Sequence, residues 1–228
     1  MCGLTGCWVA PERAGTLDRD AECMCRAILH RGPDDGGVWA DADSGIALGF
    51  RRLAIIDVSP AGHQPMASES GRYVVTFNGE IYNFAAIRAS LGDAVRWRGH
   101  SDTEVLLAAI ERWGIQSAIQ RCSGMFAIAL WDRQERALHL IRDRLGEKPM
   151  YYGAFDGALL FGSELKALRA HPSWRGKIDR AALSLYLRHN YVPAPYCIYE
   201  NVRKVVPGTI VTFRDRTAAP ETTQYWSA

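Results

Sequence analysis

The sequence has no long apolar run and no excess of charge of either sign. No stretch of the 228 residues approaches the roughly 18 uninterrupted apolar residues of a membrane span, and the N-terminus lacks the basic start and apolar run of a secretory signal. Lys and Arg number 27 against 25 Asp and Glu, with no run of like charges. We therefore expect a cytoplasmic protein that binds a small molecule or a protein, and neither nucleic acid nor a membrane.

Nucleotide-binding and metal-binding motifs are also missing. The sequence contains no G-x-G-x-x-G and no G-x-x-x-x-G-K-[ST], so dinucleotide-binding and P-loop folds lose their main support. Its six cysteines are scattered through a chain large enough to fold without disulfides, and we expect reduced thiols. Cys23 and Cys25 lack metal-ligand spacing, and the six histidines, interpreted as loop or surface residues, have no ligand partner at helical spacing. No metal site is predicted.

Strand-length apolar runs rich in Val, Ile, Phe and Tyr recur along the chain, and most end in Gly, Asp or Asn. Hairpins are predicted at Asp156-Gly157 and within "WDRQERALHLI". Many hairpin strands with few helices indicate an α+β layered domain with antiparallel sheets. The stretches of helical character between the strands are 17–29, 81–91, 103–113 and 179–189.

The opening "MCGLTG" places a cysteine beside the initiator methionine. If Met1 is removed, Cys2 holds a thiol, with an ordinary pKa of about 8.5, next to an α-amine with an ordinary pKa of about 7.7–8.0. The amine can accept the thiol proton, so one residue would supply both nucleophile and base. The alternative is that Cys2 is an ordinary small residue at position 2, and these six residues alone favour that alternative.

Two polar features could serve acyl transfer. Asn78-Gly79, after the strand "YVVTF", is predicted to turn sharply and to present an amide side chain and a backbone N–H as oxyanion-hole donors, and a plain turn is the alternative. Ser101-x-x-Glu104 is typical of a capping box, which puts Asp102 in the first helical turn. There its carboxylate either complements the helix dipole or binds a substrate ammonium.

Two adjacent arginines lie in a strand-like run. Alternation puts Arg51 and Arg52 on opposite faces, where one could hold a substrate carboxylate while the other is solvated. A thiol nucleophile, an oxyanion hole, a carboxylate-binding arginine and an ammonium-binding aspartate together fit an α-amino acid with an acyl group at its far end.

With these features together, the sequence resembles the glutaminase domain of class II glutamine amidotransferases, which are N-terminal-nucleophile hydrolases. It is most similar to the glutaminase domain of glutamine-hydrolysing asparagine synthetases. The resemblance covers nearly the whole chain, in the family's order. Its motifs are "MCGLTG", "HRGPDDGG" (30–37), "RRLAIIDVSPAGHQPM" (51–66), "FNGEIYNF" (77–84), "SDTEVLL" (101–107), "GMFAIALWD" (124–132), "RDRLGEKPMYYG" (142–153), "FGSELKAL" (161–168) and "YVPAPYCIYENVRKVVPG".

The resemblance implies a four-layer αββα sandwich with two antiparallel sheets, the N-terminal-nucleophile hydrolase fold. It implies a glutaminase core over 1–167, and closing strands, a helix and a connector over 168–228. Carried over by position, Cys2 is the nucleophile and, through its α-amine, the base. Asn78 and Gly79 form the oxyanion hole. The residues that bind or line the substrate are Arg52, Leu53, Ile55, Ile56, Glu80 and Asp102.

The implied reaction is hydrolysis of L-glutamine to glutamate and ammonia through a glutamyl thioester. No cofactor is expected in this chain. ATP and Mg²⁺ would bind to a C-terminal synthetase domain, which has no counterpart in this sequence and would receive the ammonia. Assembly into a homodimer is a further possibility. The acceptor could be aspartate, or a sugar, peptide or antibiotic precursor. Two alternatives stay open: a catalytically silent module that docks a synthetase domain, and a hydrolase of the same type acting on a different amide.

Overall fold

The structure is a computed structural model and describes residues 1–54, 59–92 and 95–227. Two six-stranded sheets dominate it, and neighbouring strands in both are antiparallel. The first sheet contains, in spatial order, β10 (Val202–Lys204), β8 (Tyr151–Phe155), β9 (Ala158–Gly162), β1 (Gly3–Trp8), β3 (Ile46–Arg52) and β2 (Asp35–Asp41). The second contains β12 (Glu221–Gln224), β11 (Thr209–Phe213), β7 (Ala137–Arg142), β6 (Gly124–Asp132), β5 (Tyr73–Ile81) and β4 (Met66–Ala67).

Helices cover the outer face of each sheet. The α-helices are α1 (Leu17–Ala27), α2 (Phe84–Leu91), α3 (Asp102–Trp113), α4 (Ile115–Arg121), α5 (Leu165–Arg169) and α6 (Arg180–His189), and short 3₁₀ turns lie at Pro11–Thr16, Leu29–Arg31 and Pro60–Gly62. Helices α1 and α5 share a core with the first sheet, and α2, α3 and α4 share one with the second. A third core lies between the sheets. The predicted four-layer sandwich is therefore confirmed.

Strand β6 shows why the apolar runs are continuous rather than alternating. Phe126 and Ile128 pack towards the helices, whereas Ala127 and Trp131 pack between the sheets, where Trp131 contacts the ring of Trp8 edge-on at 5.1 Å. A strand that is buried on both faces needs apolar side chains at every position. The run "MFAIALW" meets that need.

Both predicted hairpins are present. Asp156 and Gly157 join β8 to β9 with φ values of +47° and +73°, the backbone of a two-residue turn of the primed type. The second hairpin joins Asp132 of β6 to Ala137 of β7. The interpretation of the histidines as loop or surface residues is wrong for His139, which is buried on β7. His171 lies in the loop that follows α5, as that interpretation allows, and is buried as well. Burial lowers the pKa of each imidazole to about 4, so both are neutral near pH 7.

All six cysteines are free thiols. None of the described helices is long and apolar enough to span a bilayer.

The strands after residue 168 extend the outer edges of both sheets, since β10 pairs with β8 and β11 pairs with β7.

Candidate active site

Cys2 directly precedes β1 and borders the core between the two sheets. Its side chain is partly buried against the core between the sheets. The Cys2 Sγ atom lies 3.4 Å from the backbone nitrogen of Leu53 and 3.5 Å from its carbonyl oxygen. Met1 precedes Cys2 through a peptide bond and is 63% exposed. The thiol is therefore in place, while the backbone nitrogen of Cys2 is still an amide.

A small pocket of about 60 Å³ opens beside this thiol. It brings together Cys2, Arg52 and Leu53 from the first sheet and the loop that follows it, with Gly79 and Glu80 of β5 and Asp102 of α3. A larger cavity of about 490 Å³ along α2 and α3 contains none of these residues and no cysteine. We place the site in the smaller pocket because it combines the thiol of Cys2 with an arginine and two carboxylates. Two other cavities hold a cysteine beside charged groups, Cys25 and Cys197, but burial raises the pKa of both thiols and so disfavours their reactive thiolate form.

The predicted turn at Asn78-Gly79 does not form. Both residues lie within β5, opposite Ala127 and Phe126 of β6, so strand pairing overrides the local turn preference of Asn-Gly. Strand β5 itself therefore positions the two predicted oxyanion donors, the Asn78 side chain on one face of the strand and the Gly79 N–H on one edge.

The backbone N–H of Gly79 lies on the edge of β5 that faces the pocket. On this edge Phe77 donates its N–H to Gln64 Oε1 at 2.7 Å, and Ile81 donates its N–H to Asp102 Oδ2 at 3.0 Å. Backbone donors alternate between the two edges of a strand, so Gly79, midway between them, presents its N–H to the same edge. A Cβ at Gly79 would lie 2.1 Å from the carbonyl oxygen of Met125, so the close approach of β6 requires glycine here.

The Asn78 side chain points into the space between the sheets, which Cys2 also borders. Val74 on the same face of β5 belongs to the core between the sheets. Asn78 is 1% exposed, and its Nδ2 has no hydrogen-bond partner among the described residues. An unpaired buried amide donor costs about 1–3 kcal/mol, so such a group is expected where a ligand supplies the acceptor. Asn78 lies behind the pocket rather than among its lining residues.

Arg51 and Arg52 lie on opposite faces of β3, as predicted. Arg52 is 8% exposed and lines the pocket, and its Nη1 donates to the carbonyl oxygen of Ser59 at 3.2 Å and lies 3.9 Å from Asp35 Oδ2. Arg51 lies on the other side and donates from Nε to the carbonyl oxygen of Gly32. Of these two arginines, Arg52 is therefore the one that lines the pocket beside Cys2.

Only one of the two hydrogen bonds of the predicted capping box forms at the start of α3. Ser101 Oγ accepts from the backbone nitrogen of Glu104 at 3.2 Å. The Glu104 carboxylate, however, accepts from the backbone nitrogens of Arg98 at 2.7 Å and Gly99 at 3.0 Å. Backbone N–H groups of the loop before the helix therefore bond both carboxylate oxygens of Glu104. These hydrogen bonds replace the predicted bond from the Glu104 carboxylate back to the backbone of Ser101.

Asp102 is a buried carboxylate without a cationic partner among the described residues. Burial raises its pKa to about 6, nearby Glu80 adds to the effect, and the N–H groups of Ile81 and Thr103 partly offset it. An ammonium group of a ligand would compensate this charge. The geometry thus favours the ligand-binding alternative for Asp102 over a purely capping role.

The chain matches the family model of the glutamine amidotransferase domain over residues 1–226. It belongs to that family. This amidotransferase domain is 38% identical to asparagine synthetase [glutamine-hydrolyzing] 1 of Bacillus subtilis, covering 94% of the chain and 34% of the relative. It is 36% identical to asparagine synthetase [glutamine-hydrolyzing] 3 of the same organism, covering 93% and 35%. The chain thus spans about a third of the length of these curated relatives.

The solved structures support the fold of the amidotransferase domain. Glutamine phosphoribosylpyrophosphate amidotransferase from B. subtilis superposes with a TM-score of 0.73 and 18% identity, covering 100% of this chain and 50% of that one. The structure of the allosteric regulatory enzyme of purine biosynthesis superposes equally well, at 17% identity.

The amidotransferase domain has site residues that the motifs alone did not reveal. Arg31 donates from Nε to the carbonyl oxygen of Cys2 at 2.8 Å. Gln64 accepts a hydrogen bond from the backbone nitrogen of Phe77 in β5 and lines the pocket. Both lie within quoted motifs, "HRGPDDGG" and "RRLAIIDVSPAGHQPM", which was the available signal. The further lining residues are Gly62, Phe77, Ser101 and Thr103. The predicted lining residues Ile55 and Ile56 lie outside the described residues.

Proposed function

We propose that this amidotransferase domain hydrolyses L-glutamine to glutamate and ammonia with Cys2 as the nucleophile. The observation that carries the proposal is the pocket beside the Cys2 thiol, which combines a backbone N–H at Gly79 with the buried carboxylate of Asp102, for which the described part of the chain offers no cationic partner. The thiol and the N–H suit the side-chain amide of glutamine, and the carboxylate suits its α-ammonium group.

The charged ends of glutamine select its orientation. We infer that Arg52 binds the α-carboxylate and that Asp102 binds the α-ammonium, because these are the oppositely charged groups of the pocket that suit them. Leu53 and Glu80 line the same pocket, and Ile55 and Ile56 remain lining residues implied by the family resemblance. Binding of both charged ends directs the side-chain amide of glutamine towards Cys2.

The chemistry requires a free α-amine on Cys2. In the proposed first step the amine takes the thiol proton, and Sγ attacks the amide carbon of glutamine. The Asn78 amide and the Gly79 N–H stabilise the oxyanion of the tetrahedral intermediate. The α-ammonium of Cys2 then returns the proton to the departing nitrogen, which leaves as ammonia. Water, deprotonated by the same amine, cleaves the thioester to give glutamate and restore the thiol.

The direct test of this proposal is a product assay on protein that begins at Cys2. We expect glutamate and ammonia in equal amounts from L-glutamine, and far slower turnover of D-glutamine, because the reversed stereocentre cannot satisfy Arg52 and Asp102 together. Absence of ammonia from folded protein with a free Cys2 amine would refute the proposal and favour a silent docking module.

Asp102→Asn should abolish tight glutamine binding and stabilise the free protein. The folded pKa of Asp102 lies above its ordinary value, so ionisation costs stability, and that cost appears as pH rises through about 6. At pH 8 the neutral amide should therefore raise the free energy of unfolding by about 1–3 kcal/mol. Loss of the ammonium partner should lower kcat/KM by roughly 30-fold to 1,000-fold, equivalent to about 2–4 kcal/mol.

Urea unfolding and glutaminase kinetics on the same preparations measure both effects. In the wild-type protein, the KM for glutamine should rise as pH falls through about 6, because protonation removes the charge that holds the ammonium. A variant that binds glutamine normally would show that another group holds the ammonium.

We further infer that the ammonia is delivered to an ATP-dependent synthetase domain outside this chain, as part of a glutamine-hydrolysing asparagine synthetase. Support comes from the names of the relatives and from the third of their length that the chain spans. In this proposal 1–167 is the glutaminase core and 168–228 leads to the partner domain. Helix α6 suits a docking role because Leu183, Tyr186 and Leu187 form an exposed stripe along it.

A further inference from the structure

Arg31 connects the nucleophile to a distant carboxylate. The guanidinium is 9% exposed; its Nε donates to the carbonyl oxygen of Cys2 at 2.8 Å and its Nη1 donates to Glu164 Oε1 at 2.9 Å. Glu164 directly precedes α5, 133 positions after Arg31 in the chain. A single side chain thus joins the backbone of Cys2 to Glu164.

The Glu164 carboxylate is held in its charged form. His30 Nε2 lies 3.0 Å from Oε1, and Lys166 Nζ lies 3.1 Å from Oε2. Burial opposes its ionisation, but hydrogen bonds from Arg31, His30 and Lys166 outweigh burial and lower the pKa of Glu164 to about 2. Glu164 is therefore an anion at any pH at which a glutaminase would work.

Hydrogen bonds also join the backbone segment next to Cys2 to the segment next to Glu164. Ser163 donates its N–H to the carbonyl oxygen of Leu4 at 2.9 Å, and Leu4 donates its N–H to Ser163 Oγ at 3.1 Å. A Cβ on Gly3 would lie 3.0 Å from Cδ of Arg31, so glycine leaves room for the arginine stem to pass beneath the chain. The segment that carries Glu164 and the segment that carries Cys2 therefore form one unit.

We propose that Glu164 is a positioning residue for Cys2, acting through Arg31. The inference rests on the proposed glutaminase function. Once Met1 is removed, Cys2 is a chain end with one covalent neighbour, and chain ends are poorly ordered unless tied down. Arg31 fixes the Cys2 carbonyl, and Glu164 fixes Arg31. Loss of such a restraint reduces catalysis because misplacement by about 1 Å can cost on the order of 100-fold in rate.

Glu164 also balances the charge of Arg31 beside the α-amine of Cys2. The other charged groups around the site lie on several elements: Arg52 on β3, Glu80 on β5, Asp102 on α3, and Lys148, whose Nζ lies 3.7 Å from Sδ of Met1. Removal of the Glu164 anion leaves the charges of Arg31 and Lys166 unopposed. A stronger positive potential disfavours the ammonium form, so the pKa of the amine should fall.

The test compares Glu164→Gln with Lys166→Met in protein that starts at Cys2. Lys166 binds the same carboxylate but does not contact Arg31 or Cys2, so its variant is the matched control. We expect Glu164→Gln to lower kcat about 10-fold with KM within about twofold, and to move the acidic limb of the kcat/KM profile to lower pH. Lys166→Met should keep the wild-type kcat.

A double-mutant cycle separates this role from general stabilisation. If Glu164 acts through Arg31, adding Glu164→Gln to Arg31→Lys should cause no further loss of kcat, whereas independent roles give additive losses and overturn the inference. A wild-type kcat in folded Glu164→Gln would overturn it as well. If Glu164→Gln does not fold, Glu164→Asp, which keeps the charge, should show a smaller loss of kcat with unchanged KM, and a wild-type kcat there overturns the inference. Inactive wild-type protein would instead refute the glutaminase proposal.

Discussion

Protein that retains Met1 should release ammonia from L-glutamine at least about 1,000-fold more slowly than protein that begins at Cys2. With Met1 in place the nitrogen of Cys2 is an amide, which neither accepts the thiol proton nor protonates the leaving nitrogen. Cys2→Ala should give the same loss in processed protein. Ammonia release, measured on two preparations whose N-termini are verified by mass spectrometry, checks this expectation.

The structure makes this comparison practical. Met1 is 63% exposed, so removal of the methionine requires no unfolding, and its retention leaves the thiol in the same pocket. Labelling of Cys2 by a small thiol reagent should succeed in both preparations and serves as the control for a folded, accessible site. Equal glutaminase rates with and without Met1 would show that the α-amine is not the base.

Asn78→Ala should lower kcat by about 100-fold to 1,000-fold and leave KM within a few-fold of wild type. The reason is that the Asn78 Nδ2 donor is buried and unpaired among the described residues, so it gains a hydrogen bond only when an oxyanion forms. An interaction made only in the transition state affects kcat and not ground-state binding.

Thr76→Val is the matched control for this experiment. Thr76 lies on the same face of β5, is 0% exposed, and its Oγ1 also has no partner among the described residues. Its replacement should leave kcat unchanged, since no role in the reaction is assigned to it. If Asn78→Ala raised KM and spared kcat, Asn78 would instead bind the ground state of glutamine.

The layers are predictable from local pattern, whereas the proposed site residues follow from local motifs only together with the family resemblance. Asp156-Gly157 carries its own turn signal, and alternation alone separates Arg51 from Arg52. Asn78-Gly79 shows the limit of such signals. The dipeptide prefers a turn, but pairing with β6 along the whole of β5 keeps it in a strand. The two proposed oxyanion donors therefore lie on the edge and on the face of that strand.

Contacts between distant segments could not be predicted from pattern. The carboxylate of Glu104 serves the loop before its helix rather than the helix itself, and only the three-dimensional path of that loop shows it. Arg31 and Glu164 are separated by 133 positions, and no periodicity relates them. Their motifs were visible in the sequence, whereas their connection to Cys2 depends on how β1 and α5 meet.

In the proposed reaction, Cys2 attacks the side-chain amide carbon of a bound glutamine. The most direct test of this attack is mass spectrometry of protein starting at Cys2 after incubation with a glutamine analogue that carries a diazomethyl ketone in place of the amide. We predict one adduct, formed with loss of N₂, on the peptide that begins at Cys2, and protection by L-glutamine. A folded, processed protein whose Cys2 stays unlabelled, or whose label lies on another residue, would contradict attack by Cys2.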